Sequence, residues 1–142
     1  MIVVVDSSVV VKWYVNEDHT LEAERLIDSS LELHAPELLL AEFGNIIWKK
    51  LRNQDIDEQL ANFAIESIAK LTIVLHSHPK LIRSAYTMAV ETGTSVYDWI
   101  YLSLALSLSC KFVTADRKFF LAMRKTKFKS DVVWIENIPQ LI

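Results

Sequence analysis

Ile2-Val3-Val4-Val5-Asp6-Ser7-Ser8-Val9 sets four β-branched residues in a row and then breaks to one acid and two hydroxyls. Such a run reads as a strand buried on both faces, the kind a parallel sheet uses. Ser7 and Ser8 offer caps for a helix over 9–14. The same grammar returns at Lys111-Phe112-Val113-Thr114-Ala115-Asp116, a short strand, an acid, then a helix over 117–124. Between them the periodicity predicts helices over 20–28, 37–51, 58–71 and 79–93, and brief strands over 33–35 and 71–75, with a last strand over 132–135. Pro36 suits the first turn of the helix that follows it. Asp57 is a cap and Gly93 a stop. Residues 95–109 carry two signals. Ile100, Leu102, Leu104, Leu106 and Leu108 alternate as in a strand, but the length and the Ser95-x-x-Asp98 start favour a helix. Alternating strands and helices predict an α/β fold with a mainly parallel central sheet covered on both faces. No linker or repeat divides the chain, so one domain over 1–142 is expected.

The composition agrees. The chain has 142 residues, 51% of them hydrophobic, enough for one core without disulfides. Two glycines and three prolines are too few for an all-β fold with its many turns. The single cysteine, Cys110, follows an apolar run and reads as a core thiol, which fits a reducing cytoplasm. No basic segment precedes the first apolar run, and the uncharged stretch 99–110 is too short to span a bilayer. A soluble, cytoplasmic protein is expected. The net charge is −3, yet seven of the 15 basic residues lie between Lys111 and Lys129, where Asp116 is the only acid. That stretch is either a solvated face or an attractor for a polyanion.

Four acids stand where chemistry is expected. Asp6 and Asp116 follow strands, and ligands of open α/β sheets bind beyond the carboxyl ends of strands. Asp98 falls in the first turn of its helix. Glu42 shares a helix row with Leu38, Leu39 and Ile46, where a carboxylate is costly to bury unless paired or metal-bound. Asn45 follows on the same face. Each acid alone has a plain structural alternative: Asp6, Asp98 and Asp116 as helix caps, Glu42 as a partner of Lys49. Together they suit a hard divalent cation, Mg²⁺ or Mn²⁺ rather than zinc, which would relieve their repulsion. Other chemistries lack their parts. Gly44 and Gly93 are too far apart for a phosphate loop. His19, His34, His76 and His78 make no convincing zinc set, and His76 and His78 are expected in a loop. An acidic pair at the first strand, as a phosphoryl-accepting receiver needs, is missing.

The motifs resemble those of PIN-domain proteins, and specifically of VapC-type toxins from toxin–antitoxin pairs. The resemblance rests on four ordered stretches: Val3-Val4-Val5-Asp6-Ser7-Ser8-Val9 with Lys12-Trp13, Ala41-Glu42-Phe43-Gly44-Asn45, Ser95-Val96-Tyr97-Asp98-Trp99-Ile100-Tyr101-Leu102, and Val113-Thr114-Ala115-Asp116-Arg117-Lys118-Phe119. It implies a three-layer α/β/α PIN-like fold and endonucleolytic hydrolysis of RNA. It implies Asp6, Glu42, Asp98 and Asp116 as catalytic, metal-binding acids for Mg²⁺ or Mn²⁺. Ser7, Asn45 and Thr114 would be supporting polar residues, and Arg117 and Lys118 would hold the RNA backbone. A cognate antitoxin and a homodimer are implied as partners. A free-standing RNA-processing nuclease, or a non-catalytic RNA-binding module on the same fold, would carry similar motifs.

Overall fold

The computed structural model describes residues 1–141. Five strands form one all-parallel sheet: β1 (Ile2–Val5), β2 (Glu32–Pro36), β3 (Ile73–His76), β4 (Lys111–Thr114) and β5 (Val132–Trp134). Their order is β3-β2-β1-β4-β5. The helices are α1 (Ser7–Val10), α2 (Thr20–Ile27), α3 (Leu38–Arg52), α4 (Glu58–Ile68), α5 (Ile82–Thr92), α6 (Val96–Ser107) and α7 (Arg117–Met123). A 3-10 turn extends α1 over Val11–Trp13, and another covers Ile135–Gln140.

The chain steps outward from β1 to β2 and β3, then returns across the sheet to β4 and β5. Right-handed crossovers therefore put α1–α4 on one face and α5–α7 on the other. Trp99 of α6 meets Phe119 of α7 edge-on at 6.4 Å on the second face. The reversal of direction falls between β1 and β4, which is the switch point where such sheets bind ligands.

β1 is buried because it is central. Val3, Val4 and Val5 have no exposed surface, and Phe112 and Val113 of β4 pack beside them. α6 explains the mixed signal of residues 95–109. Its whole middle, Trp99–Ala105, is buried, so leucines on every side read as alternation although the backbone is helical.

The first helix starts at Ser7, earlier than expected, because Asp6 and not Ser7 or Ser8 accepts from its free N–H groups and caps it; other differences from the sequence expectations lie around β2 and β3. Pro36 does not open a helix. It ends β2, opposite His76, where the ladder no longer needs its N–H. The start of α3 is satisfied from outside instead: the Leu38 N–H donates to His78 Nε2 at 3.0 Å. β3 begins at Ile73 and runs through His76, which is therefore in a strand and not a loop. There it meets His34, with Nδ1 of His34 and Nε2 of His76 2.8 Å apart and Glu32 Oε1 3.0 Å from the other nitrogen of His34. Burial and the neighbouring His34 both lower the pKa of His76. α5 starts at Ile82, three residues after Pro79, because the Leu81 and Ile82 N–H groups first close a turn onto the His78 carbonyl.

Candidate active site

Each of the four acids is set by an element end or a helix face. Asp6 caps α1, and only 8% of it is exposed. Its Oδ1 accepts from the Ser8 N–H at 2.8 Å, the Val9 N–H at 3.2 Å and the Ser8 hydroxyl, while Oδ2 accepts from the Thr114 hydroxyl. Asp116 caps α7, its Oδ1 accepting from the Phe119 N–H at 3.0 Å. Asp98 sits in the first turn of α6, with the Ser95 hydroxyl donating to Oδ2 at 3.0 Å. Glu42 rises from α3, and its Oε1 accepts from the Tyr101 hydroxyl at 2.6 Å and the Ser7 hydroxyl at 3.5 Å. Asp6 and Asp116 therefore combine capping with their place beside the other acids, whereas Asp98 is not the cap of α6, a role that Ser95 takes.

The charges interact. Burial pushes the Asp6 carboxyl up to about 6, against the pull of its hydrogen bonds from Ser8, Thr114 and Val9. Burial also raises Glu42, with repulsion from Asp98 and Asp116 adding to it and the Tyr101 bond opposing it. Asp98 is raised by burial and by Asp116, and lowered in part by Lys118. The Tyr101 hydroxyl, buried beside Glu42, stays protonated well beyond the usual range. Carboxylates held near one another at a cost are the environment a divalent cation relieves. Asp6 bonds through both oxygens, whereas Glu42, Asp98 and Asp116 each bond a helix N–H or a hydroxyl through one, and among the described residues their second oxygens have no hydrogen-bond donor. Hard oxygen donors of this kind fit Mg²⁺ or Mn²⁺. Among the described residues no group of three or more His, Cys, Asp or Glu side chains is placed, as the side chains stand, to hold a metal ion. The acid rim is the set of strand and helix ends from which Asp98 and Asp116 act on Glu42, and Asp116 on Asp98. The largest cavity described, about 530 Å³ and lined by Trp13, Leu31 and Ile73, lies away from it.

A PIN-domain family model matches residues 3–125. The chain belongs to the PIN-domain family. This PIN domain is similar to Ribonuclease VapC3 of Pyrobaculum aerophilum, at 32% identity over 120 residues that cover 83% of this chain and 92% of the relative. In fold it is similar to PAE2754 of Pyrobaculum aerophilum, with a TM-score of 0.70, 24% identity, and coverage of 96% of this chain and 85% of the other. A toxin–antitoxin complex from Klebsiella pneumoniae contains a chain of the same fold, with a TM-score of 0.60, 13% identity, and coverage of 92% and 95%.

Within the PIN domain the supporting residues divide. Thr114 is fully buried and ties two acids together, donating to Asp6 and accepting from the Asp116 N–H at 3.0 Å. Ser7 reaches Glu42. Asn45 is exposed and the structure gives it no hydrogen bond to any of the four acids. Arg117 and Lys118 are exposed on the first turn of α7, Lys118 near enough to Asp98 to stabilise its charge. Two residues escaped the sequence reading. Ser8 bridges the ends of β1 and β4, donating to Asp6 and accepting from the Ala115 N–H at 3.0 Å. Tyr101 fixes Glu42, and its signal was present: it lies three residues after Asp98, on the same helix face.

Proposed function

We propose that this chain is a metal-dependent endoribonuclease that hydrolyses RNA phosphodiester bonds, and the toxin of a VapBC-type toxin–antitoxin pair. The single observation that carries the reading is the charge repulsion that Asp98 and Asp116 exert on Glu42, and Asp116 on Asp98, with Asp6 tied through Thr114 to the Asp116 backbone, at the ends of β1 and β4. The similarity to a protein named as a ribonuclease supports it. Residues 1–142 would act as one nuclease domain.

Asp6, Glu42, Asp98 and Asp116 would hold Mg²⁺ or Mn²⁺. Such an ion, when bound, lowers the pKa of a coordinated water and stabilises charge on a phosphate. The protein's own contribution is positional. Ser8 and Thr114 lock the Asp6 carboxylate, Tyr101 and Ser7 hold one oxygen of Glu42, and Ser95 holds one oxygen of Asp98, which would leave the other oxygens of Glu42 and Asp98 for an ion. Arg117 and Lys118 would bind the RNA backbone beside the acids, setting register without reading sequence. Held by these bonds, the acids need little reordering when substrate arrives.

Likeness to a chain in a toxin–antitoxin complex supports a protein antitoxin as partner. A homodimer and a cytoplasmic location complete the proposal. No helix among the described residues is long and apolar enough to cross a membrane.

The test is cleavage of a mixed structured RNA with Mg²⁺, with Mn²⁺ and with chelator, beside an Asp6→Asn/Asp98→Asn control. Discrete products that need metal and vanish in the control are expected. RNA bound but uncut under every condition would replace the nuclease with a binding module.

A further inference from the structure

A cavity of about 290 Å³ opens beside the edge strand β5, between α7 and the 3-10 segment that follows the sheet. Its wall mixes three chemistries: the rings of Phe120 and Trp134, the cations Arg124 and Lys129, and the amides Asn137 and Gln140. No acid lines it. Arg124 and Lys129 are exposed, and among the described residues neither forms an ion pair. The Trp134 indole is fixed, with Phe120 at 5.6 Å on one side and His19 edge-on at 5.5 Å.

The cavity is joined to the acid rim twice. Trp134 pairs with Thr114 across the β4–β5 ladder, and Thr114 bonds to Asp6. α7 carries Phe120, ends at Arg124, and begins at its cap, Asp116. At 1.5 Å per residue, Arg124 stands about 12 Å along the helix from Asp116, a span that a short length of extended single strand crosses.

We infer that this cavity is a nucleotide subsite for single-stranded RNA, taking a base a few nucleotides from the scissile bond. The base stacks against the Phe120–Trp134 pair, since every base has a π-face. Its phosphate lies on Arg124 and Lys129. Asn137 and Gln140 each supply a donor and an acceptor, the pairing a base edge needs. A diffuse basic field would not need aromatic rings or amides. Lys125 and Lys127 belong to the same basic stretch but lie outside the lining. The inference rests on RNA as the substrate proposed above.

The test is fluorescence anisotropy with a labelled, mixed-sequence 12-nucleotide single-stranded RNA in chelator, beside an abasic strand of equal length. Arg124→Ala/Lys129→Ala should weaken binding of the RNA roughly tenfold. Lys125→Ala/Lys127→Ala removes the same charge outside the cavity and should weaken it less than about twofold, despite the equal charge lost. Trp134→Leu should cost roughly fivefold on the RNA and nothing on the abasic strand. Melting curves check folding, and the exposed Arg124/Lys129 pair decides the matter if Trp134→Leu does not fold. Equal losses in both lysine–arginine and lysine–lysine pairs, no loss in either, or no binding of RNA by the wild type would each overturn the subsite. Cleavage is read separately with metal, so a failed nuclease assay leaves these binding comparisons interpretable.

Discussion

Asp6 spends both of its oxygens on hydrogen bonds, yet burial still holds its pKa at about 6. The folded value lies above the unfolded one, so the stability linked to this group is full below the unfolded pKa and is lost as pH rises through about 6. In chelator at pH 7.5, Asp6→Asn should therefore melt above the wild type, by up to about 3 kcal/mol, and the gap should close near pH 4. Thermal melts at both pH values decide it; equal melting at pH 7.5 would mean that the buried charge is not costly. The same variant should not cleave RNA. Tyr101→Phe asks a different question, because the phenol touches Glu42 through one bond only. Loss of that bond should raise the Mg²⁺ concentration that gives half the maximal thermal shift about tenfold, while cleavage at saturating Mg²⁺ falls much less. An unchanged metal titration would reduce Tyr101 to a packing residue. The three aspartates were legible because each sits at an element end that the local pattern marks. Ser8 was not, because its partner Ala115 comes from another element whose approach no local pattern encodes; Tyr101 shared the face of Asp98, but its partner Glu42 lies on a different helix that the local pattern does not reach.

At the scale of elements, α3 holds a testable weakness. Gly44 lies inside the helix, two residues from Glu42, and a Cβ added there meets nothing within 4 Å. Gly44→Ala should therefore stabilise the isolated chain by about 1 kcal/mol, seen as a rise in Tm of about 3 °C. A fall in Tm would show that the helix needs the glycine's backbone freedom. Element types were mostly readable, and α6 was rightly taken as a helix because its Ser95 cap outweighed an alternation that burial on all sides explains. Pro36 misled for a physical reason. Its fixed φ suits a helix start, but strand ends accept the same angle, and the choice was made by the distant ladder to His76.

For the whole molecule, repulsion within the site couples metal to stability. Whatever binds only the folded state stabilises it, by about 2.7 kcal/mol at a hundredfold excess over Kd. Millimolar Mg²⁺ or Mn²⁺ should thus raise the Tm of the wild type, and Asp98→Asn should melt higher without metal and respond less to it. A wild-type curve that metal does not move would remove the metal site. Strand order was the part of the fold that the sequence did not disclose. A parallel sheet follows from strands alternating with helices, but whether β4 returns to β1 or continues past β3 depends on packing between remote segments, here α6 on the sheet and Phe112 against Tyr101.

That order has a temporal meaning. Of the five described strands, the earliest made is the middle of the sheet, and the bond from Thr114 to Asp6 joins residues 108 apart. At about 5–20 residues per second, Asp6 waits several seconds for the strand beside which it works. Until β4 has emerged, β1 has no partner on that side, Asp6 lacks its bond from Thr114, and Asp116, one of the four acids, has not been made. A nascent chain that has not yet reached β4 therefore lacks the pair of strand ends at which its acids gather.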